Sequence, residues 1–234
     1  MDTFTHFCPE HTGMLIAIAV LTVSGLILLR KVSSNTAVNT LRILSVAVLI
    51  GEAVQDFLLV SEGGDIMDFL PLHLCNLGIF LNLLASFTKG RTQSFFAEIS
   101  LVLIMPGSAG ALLFPDWTYR PFWSYLPLLC FFTHSLTFFI PLAFLALRRV
   151  CVSFRHFLYS YLFLALTVPP IYFLDKKFGQ NYMFLMYPPS DSPLEWIHNI
   201  TGAQFYIPGL LVLVTAVLLL EYLIYEGARK VFSR

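Results

Sequence analysis

The chain has 234 residues, of which 57% are hydrophobic and only 12% are charged, whereas a soluble domain ordinarily carries about twice that share of charge. Lysine and arginine together number 14 and the acidic residues also number 14, so the formal net charge is zero. This composition excludes a disordered chain, an ordinary water-soluble globule and a nucleic-acid binder built on a basic surface. The four cysteines lack CxxC spacing, which indicates neither a zinc module nor a disulfide scaffold.

Long apolar segments predict an all-α, polytopic membrane protein, because backbone groups in hydrocarbon must form their hydrogen bonds within a helix. A transmembrane helix needs about 17–25 mostly apolar residues. The seven segments that approach this requirement are 13–29, 41–60, 66–87, 97–114, 122–147, 157–174 and 203–225. We therefore expect a single transmembrane domain over residues 1–234, with about seven helices.

The distribution of charge predicts the orientation of these helices. Of the 14 basic residues, all but Arg120, Lys176 and Lys177 fall in one set of loops. The positive-inside rule then places the N-terminus outside and the C-terminus in the cytoplasm. The three tryptophans (Trp117, Trp123 and Trp196) fall near the predicted outer ends, where an interfacial aromatic belt is expected.

Two carboxyl groups interrupt the second apolar segment. A charged group at the bilayer centre costs about 2.5–3.5 kcal/mol on insertion scales, so these residues need a specific environment. Glu52 and Asp56 are four residues apart and therefore share one helix face. They predict either a carboxylate pair that faces a polar cavity in the outer half of the bundle or a protonated, hydrogen-bonded packing pair.

A histidine and a cysteine within the predicted spans are further candidates for chemistry. His73 and Cys75 are two residues apart, so they point to different faces and do not form a simple catalytic pair. A lone buried cysteine is most often inert. His134 lies near mid-membrane, where a histidine is a site candidate by default, with a structural hydrogen bond to another helix as the alternative.

Two other segments have both a structural and a chemical interpretation. The small residues of 107–110, after Pro106, favour close helix packing, and their backbone N–H groups are alternatively suited to stabilising an oxyanion. The segment 6–11 contains two histidines, a cysteine and a glutamate, but its spacing matches no metal-binding pattern. We expect these N-terminal residues to be solvated or to bind metal only adventitiously.

Four motifs in order carry a family resemblance. They are Leu72-His73-Leu74-Cys75-Asn76, then Gly107-Ser108-Ala109-Gly110 with Pro115-Asp116, then Thr133-His134-Ser135, and then Gly179-Gln180-Asn181-Tyr182. Together they resemble the YwaF family of bacterial integral membrane proteins over about residues 40–225. That family is similar to the vertebrate cysteine-dependent transmembrane phospholipid acyltransferases, of the transmembrane protein 164 type.

The resemblance implies an intramembrane acyltransferase, or a lipid esterase, in a bacterial plasma membrane. It implies that a fatty acyl chain moves between phospholipids through an acyl-cysteine intermediate at Cys75, with His134 as the histidine partner. The expected partners are a membrane phospholipid or lysophospholipid and the membrane itself, with no nucleic acid. We expect neither a cofactor nor a metal ion.

Supporting roles follow from this chemistry. Because the thiolate is the reactive form of cysteine, Cys75 needs His134 within hydrogen-bond reach to take its proton. A third group is expected to orient the histidine, and the candidates are Glu52, Asp56 and Asn181. Candidate donors to the oxyanion are Asn76, His73, Tyr182 or backbone N–H groups near Gly107.

Two functions of other classes remain open from the sequence. Intramembrane carboxylates also suit a transporter or a non-enzymatic binding protein for a small amphipathic ligand, although no internal repeat of the kind many transporters contain is visible. An intramembrane metal or haem site that uses His73 and His134 is the third possibility.

Overall fold

The computed structural model describes residues 3–232 of the chain. Helices dominate these residues, and the antiparallel bridge between Thr3 and Pro121 is an isolated pairing outside any strand. Six helices in the described chain are long and apolar enough to cross a membrane. The predicted fold class, an all-α polytopic membrane protein, is therefore confirmed.

Eight α-helices follow one another in the described chain. They are α1 (Pro9–Lys31), α2 (Ser34–Ser61), α3 (Leu74–Phe87), α4 (Gly90–Ile99), α5 (Met105–Leu113), α6 (Tyr125–Ala146), α7 (Phe157–Phe178) and α8 (Pro193–Phe232). A π-helical turn, Ser100–Ile104, joins α4 to α5, so that Gly90–Leu113 forms one continuous membrane-length helix.

The third predicted segment, 66–87, differs most from the structure. It divides into a 3₁₀ turn at Ile66–Phe69, a break before Leu74, and the helix α3 of only 14 residues. Such a helix is about 21 Å long, shorter than the roughly 30 Å hydrocarbon core. Pro71 lies in the break, where the residue before a proline is disfavoured in helical conformation. Cys75 therefore lies in the first turn of a helix.

The chain divides into two compact units. Unit 1 contains the described residues up to Leu70 and those from Leu74 to Cys151, and thus holds α1 to α6. Unit 2 contains Pro71–His73 and the described residues from Val152 onward, with α7 and α8. The single transmembrane domain expected from the sequence stays a prediction.

The interior of unit 1 is organised around α6. Helix α6 packs against α2 and α5, and α2 also packs against α3. A buried polar network ties these helices together through Asn82 of α3, which accepts a hydrogen bond from Ser100 at 2.6 Å and donates to the Thr137 carbonyl at 3.4 Å. A buried amide with partners on both sides fixes the register of the helices around it.

Glycine at position 78 permits the close approach of α3 to the π-helical turn. A Cβ atom added to Gly78 would lie only 2.2 Å from Cγ2 of Ile104, a side chain with no exposed surface. Small residues at such crossings allow the backbones of membrane helices to come together.

The histidines near the N-terminus form structural hydrogen bonds, and the expectation of a solvated residue is wrong for His11. His11 is fully buried. Its Nε2 atom hydrogen-bonds to the carbonyl of Leu112 at 2.8 Å, and its Nδ1 atom accepts the N–H of Phe7 at 2.9 Å. His6 bonds to the carbonyl of Pro115 at 2.9 Å. These contacts tie the start of α1 to the end of α5 and to the chain that follows it.

An aromatic cluster stands at this same end of unit 1. Trp117, Phe122, Phe131 and Phe4 pack together in it. Trp117 is only 5% exposed, so the prediction of an interfacial position is wrong for this tryptophan, whereas Trp123 and Trp196 are 71% and 59% exposed. Trp117 and Trp123 both lie in the connection between α5 and α6, but only Trp117 belongs to the buried cluster.

Unit 2 contains two long helices with marked ends and bends. Helix α7 ends at Gly179, which has a φ of 72°, a left-handed conformation that glycine adopts without steric cost. Helix α8 is bent at Gly202, where φ is 72° and ψ is 167°. The loop between α7 and α8 is anchored by Asp175, whose Oδ1 atom accepts the N–H of Tyr182 at 2.9 Å.

Candidate active site around Cys75 and His134

Cys75 is the second residue of α3. The first N–H groups of a helix have no partner inside the helix, and their partial positive charge favours a nearby anion. The hydroxyl of Ser108, from α5, donates a hydrogen bond to Cys75 Sγ at 3.9 Å. Ser108 is fully buried, whereas Cys75 keeps part of its surface accessible. The Ser108 hydroxyl therefore holds the thiol from one side.

Gly107 forms the wall beside the sulfur. A Cβ atom at this position would lie 3.9 Å from Cys75 Sγ and 3.8 Å from a methyl group of Leu74. The backbone of α5 is thus so close to the thiol that a single added carbon atom at Gly107 would be in van der Waals contact with the sulfur. This supports the packing interpretation of Gly107, since its contacts are those of two closely apposed helices.

His134 lies in the middle of α6, and its ring orientation is fixed. Nδ1 is 2.8 Å from the carbonyl oxygen of Cys130, one turn earlier. Because a carbonyl can only accept, we assign the proton to Nδ1, which leaves the lone pair of neutral His134 on Nε2. The imidazole is half-buried. It is thus a histidine whose free nitrogen is able to accept a proton.

The dipeptide Asp116-Trp117 links the surroundings of the two residues. The Asp116 carboxyl lies within electrostatic range of the Cys75 thiol, and the ring of Trp117 lies 5.2 Å from that of His134. Asp116 keeps exposed surface, and partial desolvation raises the pKa of its carboxyl group. Both candidate residues therefore border one short segment of chain.

Cys75 and His134 do not hydrogen-bond to each other among the described residues. The sulfur is bonded to Ser108, and Nδ1 of His134 is bonded to the carbonyl of Cys130. They lie on helices α3 and α6 of the same unit, which are in contact. In enzymes without substrate, catalytic hydrogen bonds are often long and tighten only in the complex.

The polar face of α2 is directed at α3 and α6. The amide of Asn76 donates a hydrogen bond to the carboxyl of Glu52, and the thiol of Cys130 donates to Gln55 at 3.2 Å. Asp56 has no hydrogen-bond partner in the described chain. Glu52 thus has a hydrogen-bond partner on α3, and the choice between a pair that faces a cavity and a packing pair stays a prediction.

Three further candidates lie in unit 2. His73 accepts the N–H of Met183 at 3.3 Å, and its ring centre is 5.7 Å from that of Tyr182. Asn181 uses its whole amide within its own loop: the oxygen accepts from Met186 and Tyr187, and the nitrogen donates to the Tyr187 carbonyl. Asn181 thus organises the turn that follows α7, and Tyr182 is buried beside it.

Three neighbours of the site were not among the predicted site residues. Ser108 belongs to the small-residue segment 107–110, Asp116 belongs to a motif of the resemblance, and Trp117 is predicted to be an interfacial residue. Trp117 is also notable because its indole N–H is buried without a partner in the described chain. The signal that points to it is its position directly after Asp116, in the short connection between α5 and α6.

No group of three or more histidine, cysteine or acidic side chains is placed to hold a metal ion anywhere in the described chain. His73 and His134, the pair considered for a metal or haem, lie in different units.

Comparison with known proteins agrees with the resemblance read from the motifs. Neither the curated proteins nor the solved structures include a match to the chain. The model of the TMEM164 family matches residues 6–222, nearly the whole length. This confirms the relationship to the transmembrane protein 164 type, whereas the link to the YwaF family stays a prediction. The chain is a membrane protein that belongs to the TMEM164 family.

Proposed function

We propose that this membrane protein is an acyltransferase that moves a fatty acyl chain between phospholipids, with Cys75 as the nucleophile and His134 as the general base. The observation that carries the proposal is that Cys75 and His134 lie on α3 and α6, two helices of unit 1 that contact each other. The ring of Trp117 lies against the imidazole of His134, with ring centres 5.2 Å apart. Membership of the TMEM164 family supports the same assignment.

In the first half-reaction, Nε2 of His134 takes the proton of the Cys75 thiol, and the sulfur attacks the ester carbonyl carbon of a phospholipid. The C–O ester bond breaks, and the departing alkoxide takes the proton back from His134. The products are a lysophospholipid and an acyl chain bound to Cys75 as a thioester.

The second half-reaction reverses these roles. His134 takes the proton of an acceptor hydroxyl on another lysophospholipid, whose oxygen attacks the thioester carbonyl. The C–S bond breaks, and His134 returns the proton to the sulfur. When water replaces the lipid hydroxyl, the same steps give hydrolysis, so the exclusion of water from the site favours transfer.

The tetrahedral intermediate of each half-reaction needs donors for its oxyanion. The indole N–H of Trp117 is a buried donor without a partner, and the first N–H groups of α3 are not used inside the helix. Asn76 is a weaker candidate for this role because its amide already donates to Glu52. We therefore propose Trp117 and the start of α3 as the oxyanion donors.

The proposed site belongs to the outer half of the bundle, with the N-terminus outside and the C-terminus in the cytoplasm. This orientation is supported by the unequal distribution of basic residues between the two sets of loops. A bacterial plasma membrane is the proposed location.

The test is a search for the acyl-cysteine intermediate. The purified protein is reconstituted with a phospholipid that carries a labelled acyl chain, and intact-protein and peptide mass spectrometry locate the adduct. We expect a hydroxylamine-sensitive acyl group on Cys75, together with released lysophospholipid. Cys75→Ala abolishes both products, and His134→Ala lowers the rate of acylation by about 10²–10⁴-fold, the usual contribution of a general base.

Cys151→Ala is the matched control, because Cys151 is an exposed free cysteine. It is expected to react as the wild type does. If no adduct or lysolipid forms, or if Cys75→Ala and His134→Ala react as Cys151→Ala does, the enzymatic assignment fails. A transporter or a binding protein for an amphipathic ligand is then the better interpretation.

A further inference from the structure

Unit 1 contains a cavity of about 430 Å³ at the end opposite to the candidate active site. It lies where α2 and α4 begin and where α3 ends. Its polar lining consists mainly of three cations and three side-chain amides: Arg42, Lys89, Arg149, Asn35, Asn39 and Gln93. We call this cavity the basic pocket. No acidic side chain lines it.

No ion pair with a described carboxylate neutralises Arg42, Lys89 or Arg149. The ion pair between Arg120 and Glu62 lies at the other end of α2. Lys89 forms no side-chain hydrogen bond with any described residue. Three cations that line one cavity without a carboxylate among them give it a positive potential, which suits an anionic ligand.

Neutral hydrogen bonds hold the two guanidinium groups in place. Arg42 donates to the Ser86 carbonyl at 3.1 Å and to Asn39 at 3.1 Å. Arg149 donates to Gln93 at 3.4 Å and to Ser34 at 2.5 Å. A guanidinium has five N–H donors, so both arginines keep donors for a ligand while their orientation is fixed in advance.

Two helix N-termini add to the positive potential of the pocket. Asn35 lies in the first turn of α2, and Lys89 directly precedes α4 without capping it through its side chain. The N-terminus of a helix presents free N–H groups and a partial positive charge, a combination that favours phosphate. Guanidinium, ammonium and N–H donors together match the several acceptor oxygens of a phosphate group.

We propose that the basic pocket binds a phosphate group, supplied by the headgroup of an anionic phospholipid. The cavity holds the volume of more than ten water molecules at about 30 Å³ each, more than a bare phosphate needs. Exposed apolar side chains stand at the same end of unit 1, among them Phe87 and Val32, and they offer contact to acyl chains. Basic pockets between transmembrane helices bind lipid headgroups in this way.

The basic pocket is separate from the proposed acyl-transfer site. Cys75 lies at the start of α3 and Phe87 at its end, about 18 Å apart along the helix axis. Phe87 contacts the pocket residue Arg42, whose guanidinium carbon lies 5.5 Å from the ring centre. Phosphate binding in the basic pocket therefore does not depend on the acyl-transfer mechanism.

The test is native mass spectrometry of the full-length protein in detergent. It compares phosphatidylglycerol with a diacylglycerol of the same acyl chains, and a third arm adds inorganic phosphate alone. We expect phosphatidylglycerol to remain bound and diacylglycerol to be lost. Lys89→Gln is expected to weaken phosphatidylglycerol binding about fivefold, the effect of one cation at an anionic lipid surface.

Arg91→Gln is the matched control, because Arg91 is exposed on α4 but does not line the pocket. Lys89 has no structural hydrogen bond to lose, so both variants are expected to fold. If inorganic phosphate binds in a Lys89-dependent manner and lipid does not, the phosphate site is supported and its ligand is a free phosphate ion. The proposal is overturned if diacylglycerol binds as well as phosphatidylglycerol does, or if Lys89→Gln and Arg91→Gln bind lipid and phosphate equally.

Discussion

The indole of Trp117 lies against the imidazole of His134, with ring centres 5.2 Å apart and ring planes inclined by 33°. Trp117 also meets Phe131 edge to face at 5.7 Å, three residues before His134 on the same helix. His134 is thus held by a hydrogen bond at Nδ1 and by an aromatic surface over its ring. A base held in one orientation delivers and removes protons along one direction, which is what a two-step acyl transfer requires.

Trp117→Phe is expected to slow the acylation of Cys75 by about 10²–10³-fold, the usual effect of removing one oxyanion donor. The variant keeps an aromatic ring beside His134 but loses the indole N–H, which has no partner in the described chain. The measurement is the rate at which labelled acyl chain appears on the protein. The protein is expected to stay folded, since the substitution remains aromatic.

Trp123→Phe controls for the general effect of losing a tryptophan at this end of unit 1. Trp123 is 71% exposed and is expected to tolerate the change. Equal acylation rates in Trp117→Phe and Trp123→Phe would remove Trp117 from the mechanism and leave it with a packing role.

The contact between Asn76 and Glu52 makes a prediction about stability. Asn76→Asp replaces the amide donor by a second carboxyl group next to Glu52, and a buried acceptor that loses its donor costs about 1–3 kcal/mol. We expect a lower midpoint of thermal unfolding in detergent. Combining Asn76→Asp with Glu52→Gln restores one amide and one carboxyl group, and should recover most of the loss.

The double variant distinguishes a specific hydrogen bond between residues 52 and 76 from a requirement for a carboxylate at position 52 alone. If Glu52 faced only an aqueous cavity, Asn76→Asp would be mild and Glu52→Gln would not rescue it. An absence of rescue in the double variant would therefore contradict the packing role of Glu52.

Gly78→Ala is expected to destabilise the protein by about 1–3 kcal/mol, the usual cost of overpacking. The new methyl group would lie 2.2 Å from a methyl carbon of Ile104, and Ile104 has no exposed surface into which to move. Gly110→Ala is the control, since a Cβ atom there meets nothing within 4 Å. Thermal unfolding of both variants in the same detergent is the measurement. Equal midpoints would show that α3 and the π-helical turn can separate without cost.

Much of the fold could be predicted because membrane helices are a property of local sequence. Runs of apolar residues must form helices in a bilayer, and six of the seven predicted segments correspond to long apolar helices. The exception, 66–87, shows the limit of this reasoning. Its composition is apolar enough for a span, but the break around Pro71 shortens the helix to Leu74–Phe87. A hydropathy average over side chains does not detect a change in backbone conformation.

The site was less accessible to sequence reasoning because its supporting contacts come from tertiary packing. Glu52 could be placed on a polar helix face, but its partner Asn76 is on another helix. His11 and Trp117 both look like surface residues in sequence. They become buried because the start of α1 and the α5–α6 connection fold onto each other, and the pattern of neither segment alone indicates that contact.

The raised pKa of the Asp116 carboxyl group predicts how the stability of the protein depends on pH. Burial raises the pKa of its carboxyl group above the ordinary value of 3.8, so folding favours the protonated form. The stability that this group contributes is fully present below the ordinary pKa and is lost as the pH rises through the raised pKa. Asp116→Asn keeps a neutral side chain of similar size at every pH. We therefore expect the variant to gain stability relative to the wild type as the pH rises from about 4.

The measurement is the midpoint of thermal unfolding of wild type and Asp116→Asn in the same detergent, at several pH values from about 4 upward. The difference between the two proteins should be small at the acidic end and should grow in favour of the variant. The opposite slope, with the wild type gaining on the variant as the pH rises, would mean that the carboxylate has a favourable partner in the fold. Since Asp116 is within electrostatic range of Cys75, such a partner would also change the charge that the thiol meets during acyl transfer.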